Sequence, residues 1–313
     1  MASSGSTNWT QTRNELVNAS LRKCGKLAEG ETATAQQVED ACRDLNALVK
    51  GLHAEGVKIW AYSELTLFLD TTSQEYDLGT GGDHCILTSS LVETTLAADV
   101  ALGASTITVA SATGIATTYN IGVVQDDDTI HWTTVNGAPS GVTITLTAVT
   151  TAAATSGNAV YVYVSKAPRP LRIEQARIRT SSTSETVMTK MSRLEYFGQA
   201  NKSATGVPSG YHYSPQLSLG KFYSCPVSST VAYRINMTAY RVLEDFDASS
   251  DNPDFPQEWF QPLVWLLARE LGPEYGVDGE TWNRIITMAD YWYGKALGFD
   301  TDTESVVIVP DME

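Results

Sequence analysis

The sequence predicts an α+β protein: a four-helix bundle built from both chain ends, a β-sandwich or barrel domain inserted between them, and a further small β insert. Two changes of rhythm predict this. Apolar residues recur at intervals of three and four in the N-terminal part and again after residue 254, the spacing of amphipathic helices. Between them the period falls to two, and Thr, Val, Tyr and Ser run between glycines, the composition of short strands and tight turns. With 313 residues, 42% of them hydrophobic, the chain is long enough for one large core or two modest ones. The boundaries read as 10–62 for an N-terminal helical hairpin, 63–253 for the β domain and 88–166 for its insert. A C-terminal helical pair at 254–298 completes the bundle, and 299–313 form an extended tail.

The first helix opens at Thr12, spaced as a capping box with Glu15, runs through Leu16, Val17, Leu21 and Cys24, and stops at Gly25. A second opens near Thr34 with Gln37 three residues on. Val38, Ala41, Cys42, Leu45, Leu48, Val49 and Leu52 make its apolar stripe until the break at Gly56. Strands begin within "KIWAYSELTLFLD". Between the Gly-rich "LGTGGDH" and "SKAPRP" lies a stretch with its own alternation and turn signals, expected to be a small barrel or sandwich inserted in the larger domain. In "DFPQEWFQPLVWLLARELGPEYGV", Asp254 and Gln257 have capping-box spacing and Trp259, Leu263, Leu266, Leu267 and Leu271 share a stripe, with Phe260 and Val264 beside it. Pro262 is expected to remove a backbone donor and bend this helix, and Gly272-Pro273 to end it. The last helix spans about 279–297 on Trp282, Ile285, Ile286, Ala289, Trp292 and Tyr293, with Gly298 after its end.

Charge is segregated along the chain. The net charge is −15, yet residues 166–243 hold eleven Lys and Arg against three Asp and Glu, whereas residues 244–313 hold three against sixteen. No Lys or Arg lies between Lys58 and Lys166, so that stretch has no side chains with which to grip a polyanion. A conventional DNA binder is disfavoured, and the basic and acidic stretches suit complementary faces between subunits. The polar start "MASSGSTNWTQT" lacks the basic and apolar regions of a signal peptide, and no window reaches the length of a membrane span, so the chain reads as soluble and cytoplasmic at synthesis.

The residues that could carry chemistry have plainer readings. Cys24, Cys42, Cys85 and Cys225 form no C-x-x-C pair and are expected as buried thiols. "QDDDTIHW" lacks the ligand spacing of an EF-hand and reads as a hairpin turn. His53, His84, His131 and His212 are scattered, the run Asp83, His84, Cys85 needs no special meaning, and "GTGG" is neither a P-loop nor a Rossmann fingerprint. No enzyme, cofactor or metal site is expected. Tyr-rich runs such as "YVYV" and "SGYHYSP" could stack sugars, but helical spacing accounts for the Trp residues as core or subunit interface.

"ELVNASLRKCGKLAEGETATAQQVEDACRDLNALVKGLHAEGVKIW" resembles the opening helical hairpin of the head-to-tail adaptors of short-tailed bacteriophages, the tail tubular A and packaged-DNA stabilisation group. "RPLRIEQARIR", "MSRLEYFGQANKSATGVPSGYHYSP" and the third-helix segment are similar, in order and spacing, to segments of the larger members. The interruption by Pro262 and the insert at 88–166 depart from the smallest members' plan. The resemblance implies a virion protein at the head–tail junction, assembled in the host cytoplasm, forming a ring of twelve copies under the portal. Such a ring would continue the DNA channel, let packaged DNA pass without sequence-specific binding, help retain it, and offer an attachment surface to the tail nozzle protein. Trp259, Phe260, Leu263, Leu267, Trp292 and Tyr293 are then expected at the bundle and subunit interface. Val306, Val307, Ile308 and Val309 are expected against the portal, and Arg169, Arg172, Arg177, Arg179 and Arg193 in charge contacts with a neighbouring subunit or the nozzle. The alternative is a β-rich receptor- or glycan-binding virion protein with the helices as its anchor.

Overall fold

The computed structural model describes residues 9–55, 61–243, 245–248, 250–251 and 255–299, which divide into two compact units. One comprises residues 1–61 and 243–313, the other residues 62–242.

The first unit is helical. α1 (Arg13–Lys23) begins at a capping box in which Thr12 Oγ1 accepts from the Glu15 N–H and the Glu15 carboxylate accepts from the Thr12 N–H. It ends where Gly25 takes a φ of 69°, with Gly25 N–H donating to Arg22 and Lys26 N–H to Leu21, a Schellman closure. α2 (Ala35–Glu55) opens on the reciprocal Thr34 and Gln37 pair and buries Ala41, Cys42, Leu45, Val49 and Leu52. The other chain end adds α4 (Phe260–Glu274), entered through a 3-10 turn at Gln257–Trp259, and α5 (Gly279–Phe299), capped by the Asp278 carboxylate on the N–H groups of Glu280 and Thr281.

The four-helix bundle expected from the two ends is not the architecture found. Among the described residues the protein is mixed α+β and mostly β, with five sheets and five helices, one of which, α3 (Arg193–Phe197), lies in the other unit. The four helices of the first unit gather about one of their number: α4 packs on α1, α2 and α5, and α1 also meets α2. The reason lies in α4 itself. Phe260, Pro262, Leu263, Val264, Trp265, Leu266, Leu267, Ala268, Leu271 and Gly272 are all buried, so the helix is apolar nearly all round and needs cover on several sides, where a bundle member needs one stripe.

Pro262 does not interrupt α4. It is the third residue of the helix, in the first turn, where no intrahelical partner is lost. Gly272 and Pro273 do not end it either. The helix closes at Gly276, with a φ of 58°, whose N–H donates to Pro273 while that of Val277 donates to Gly272. α5 likewise continues through Gly298 to Phe299. Asp254 and Gly56 lie outside the described residues.

The second unit opens with β1 (Tyr62–Phe68), β2 (Glu75–Leu78) and β3 (Cys85–Leu87). Next come β4 (Val92–Thr95), β5 (Thr106–Thr108), β6 (Asn120–Val124), β7 (Ile130–Thr134), β8 (Thr143–Thr145) and β9 (Ala159–Tyr163). β10 (Arg172–Arg179), β11 (Glu185–Val187) and β12 (Thr189–Lys190) precede α3. β13 (Thr205–Gly206), β14 (Gly210–Ser214), β15 (Gly220–Cys225), β16 (Val227–Ser228) and β17 (Arg234–Tyr240) complete it. A five-stranded sheet in the order β11-β10-β17-β1-β3 and a four-stranded sheet in the order β12-β14-β15-β2 share one core around Leu65, Ile178, Met237, Tyr76 and Phe222. The chain enters on β1 and leaves on β17, and these strands pair antiparallel from Tyr62 with Tyr240 to Phe68 with Arg234.

Strands β4 to β9 form the insert, with a four-stranded sheet in the order β4-β9-β6-β7, the pair β5-β8, and a separate core of Val109, Ile121, Val123, Ile144, Val160 and Val162. Its Asp-rich turn is a hairpin: β6 and β7 pair, and Asp128 takes a φ of 59°.

Two glycines test the helical packing in opposite directions. A methyl group on Gly272 would fall inside the Trp282 ring, whereas one on Gly294, within α5, meets nothing within 4 Å. Gly272→Ala is expected to cost about 1–3 kcal/mol by overpacking, and Gly294→Ala to add up to about 1 kcal/mol through helix propensity. Urea unfolding of both variants checks the pair.

Candidate functional site

Three surfaces stand out, and two of them carry residues that sequence reasoning singled out. On the helical unit, Trp259, Phe260, Leu263 and Leu267 are buried in the unit's own core, while Trp292 and Tyr293 on α5 are half-buried against it. Residues of α2, α4 and α5 line a groove of about 490 Å³, with Leu48, Leu52, Leu266 and Tyr293 as its apolar part. Its rim is acidic. Arg269 is shared between Glu270 and Asp290 at 3.5 Å each, while Asp44 has no ion-pair partner among the described residues. Partial burial, with Glu270 and Asp40 nearby, raises the Asp44 carboxyl above its usual range. Val306, Val307, Ile308 and Val309 lie outside the described residues.

The basic stretch is mostly engaged within its own unit. On β10, Arg172 pairs with Glu174 at 2.7 Å and lies over the Tyr240 ring. Arg177 bridges Glu64 at 2.5 Å and Glu185 at 3.4 Å and also donates to Gln175 and Thr238. Arg179 donates to the carbonyls of Ser181 and Ser182 in the turn that follows. Arg169 is half-buried beside Tyr213. Arg193, on α3, meets no carboxylate among the described residues and lies 5.4 Å over Phe197. α3 is held by a capping box between Ser192 and Glu195 and anchored by buried Tyr196 against Tyr223, which leaves Leu194 85% and Phe197 44% exposed.

The third surface, missed in the sequence, is the mount of the insert. Arg234, 8% exposed, grips Glu93 of β4 through two hydrogen bonds and lies over Tyr161 of β9. Asp128 of the hairpin accepts from the Thr230 hydroxyl and the Val231 N–H. Between them, His84 stacks on Trp132 with centroids 3.8 Å apart and shares a hydrogen bond with the Tyr163 hydroxyl, and Phe68 closes the cluster. A signal for this mount existed in the single His and Trp of "DTIHW" beside the "GDHC" turn, but no periodicity joins residues so far apart.

This chemistry is structural in kind. Burial depresses the His84 imidazole to about 3, with Lys166 adding to the effect, and burial pushes the Cys85 thiol up to about 12 and the Cys24 thiol to about 11. A neutral imidazole and protonated thiols are poor general acids and nucleophiles. The Tyr-rich strands also turn inward, with Tyr161, Tyr163 and Tyr211 buried and Tyr213 donating to the Pro170 carbonyl. No described helix is long and apolar enough to cross a membrane, and no three His, Cys, Asp or Glu converge on a metal position among the described residues. No known protein family matches the chain, and no curated protein sequence matches it.

The His84 stack fixes a pH dependence. An unfolded imidazole takes up a proton near 6.5, whereas the folded one stays neutral down to about 3. The unfolded chain therefore binds more protons in that window, and stability falls as pH falls through it, by at most about 1.4 kcal/mol per pH unit. His84→Phe is expected to lessen the stability lost between pH 7 and pH 4.5 in urea titrations; an unchanged loss would contradict the burial of this ring.

Proposed function

We propose that the protein is a head-to-tail adaptor of a short-tailed bacteriophage, a structural virion protein whose copies form a twelve-membered ring under the portal and continue its DNA channel toward the tail. The observation that carries this reading is where the charge changes sign. The basic stretch 166–243 gives way to the acidic stretch 244–313 at the boundary between the two compact units, Val242 and Leu243. A subunit whose basic stretch keeps a cation outside its internal ion pairs, Arg193 among the described residues, and whose other unit carries an acidic stretch can meet its neighbour head to tail. Heterologous contacts of that kind form a ring when the rotation between neighbours closes. The four segments that resemble adaptor proteins in order and spacing support a ring between portal and nozzle.

The remaining acid has a use in the same setting. An acidic channel wall repels the phosphate backbone at every register, so packaged duplex slides without sequence-specific binding, where a basic wall would hold it. The apolar run from Val306 to Val309, flanked by Asp and Glu, suits an extended segment that gains main-chain hydrogen bonds only against a partner, here the portal.

Purified protein mixed with the purified portal of the same phage is expected to give a discrete ring-on-ring complex by negative-stain microscopy. Deletion of residues 300–313 should abolish it while moving the unfolding temperature little. Binding to host-surface glycans with no portal complex would instead identify a receptor-binding protein.

A further inference from the structure

The exposed tip of α3 and the acidic groove of the helical unit have complementary chemistry. α3 holds its only acid, Glu195, in its own cap, where the carboxylate accepts from the Ser192 N–H. What it turns outward is an apolar side chain, Leu194, between Arg193, which meets no carboxylate among the described residues, and the half-exposed ring of Phe197, with Lys202 also over that ring at 5.3 Å. Short as it is, the helix is fixed in place by Tyr196. The groove presents the reverse: an apolar floor of Leu48, Leu266 and Tyr293 beneath Asp44 and Glu270.

We propose that the tip of α3 in one copy of this chain docks in the groove between α2 and α5 of a second copy, Leu194 on the apolar floor and Arg193 against Asp44. Charge selects this occupant. The two leucines exposed to a comparable degree lack a cation to match the rim: Leu102, 68% exposed, lies in the stretch without Lys or Arg, and Leu217, 99% exposed, sits between Gln216 and Ser218. Val187, 59% exposed, faces Arg177 across the β10-β11 pair, but that guanidinium is already held by Glu64 and Glu185. Among the described residues the groove also gives Asp44 no cation of its own, since Arg269 is already shared by Glu270 and Asp290. The two surfaces are different patches of the chain, and in the ring reading each copy gives its α3 to one neighbour and its groove to another, a head-to-tail contact. The area is small beside the roughly 1,000 Å² a stable interface needs, so this contact positions neighbours within a larger ring interface and is weak by itself.

The inference rests on the ring reading above, and covalent trapping tests it without portal. Two full-length variants are made, Leu194→Cys and Ala47→Cys, the latter at an exposed groove residue. Under mild oxidation at physiological salt, their mixture is expected to form a disulfide-linked heterodimer well beyond the dimer given by either variant alone. Adding Arg193→Glu to the first variant should lower the trapping yield by about fivefold, the size of one partly exposed ion pair, and adding Asp44→Arg to the second should restore it. No heterodimer above the single-variant background, or dimers of Leu194→Cys alone predominating, overturns the contact. If trapping succeeds and the portal complex does not form, head-to-tail self-association stands and the place in the virion falls; if the portal complex forms without trapping, only this contact falls.

Discussion

The helical unit depends on one constraint, the burial of α4. Its sequence from Phe260 to Gly272 has scarcely a polar face, and only Gln261, Arg269 and Glu270 reach outward. A helix of this kind cannot lie on a surface; at roughly 25 cal/mol per Å² of apolar area, leaving even one of its faces wet would cost several kcal/mol. Cover has to come from more than one direction. α5 supplies one side from the same chain end, and α1 and α2 supply the rest from the other end of the sequence, with Ser20 donating to the Val264 carbonyl and Cys24 Sγ to the Ala268 carbonyl. The requirement to cover α4 is what brings residues more than two hundred positions apart together, and it obliges the intervening chain to leave and return at neighbouring points. The pairing of Tyr62 with Tyr240, where the β unit is entered and left, meets that condition.

The same economy governs the β unit. Each sheet is short, so each needs a partner face, and the insert acquires one by seating its Trp132, Tyr161 and Tyr163 on Phe68, His84 and Ile86. The buried Arg234 with Glu93, and Asp128 with Thr230, set polar contacts at the edge of this apolar seat and give it one orientation. An acidic module of six strands without a Lys or Arg is thus carried as a fixed body on the larger sheets.

Local signals were legible and relational ones were not. The capping boxes at Thr12 and Thr34, the stripe from Val38 to Leu52 and the Asp-rich hairpin follow from spacing and turn chemistry within a few residues. Periodicity shows that a helix has an apolar side; it does not show which helices are neighbours, so four stripes suggested a bundle where α4 is a hub. Pro262 and Pro273 misled because a proline's effect depends on the turn it occupies, and that depends on where the helix starts and stops. The arginines of β10 could be picked out as a basic stretch, but Glu64, which meets Arg177, stands 113 residues away. The groove over α4 and the exposed tip of α3 left no mark in composition, since each depends on which side chains the tertiary fold covers and which it leaves bare.

Native-state hydrogen exchange tests the central role of α4 most directly. If that helix requires cover from both chain ends, amides in the middle of α1, α2 and α4 must open together, with one free energy equal to that of unfolding the unit. Exchange of α1 and α2 at a free energy well below that of α4, with α4 still protected, would show that it stays buried without them and would contradict the account.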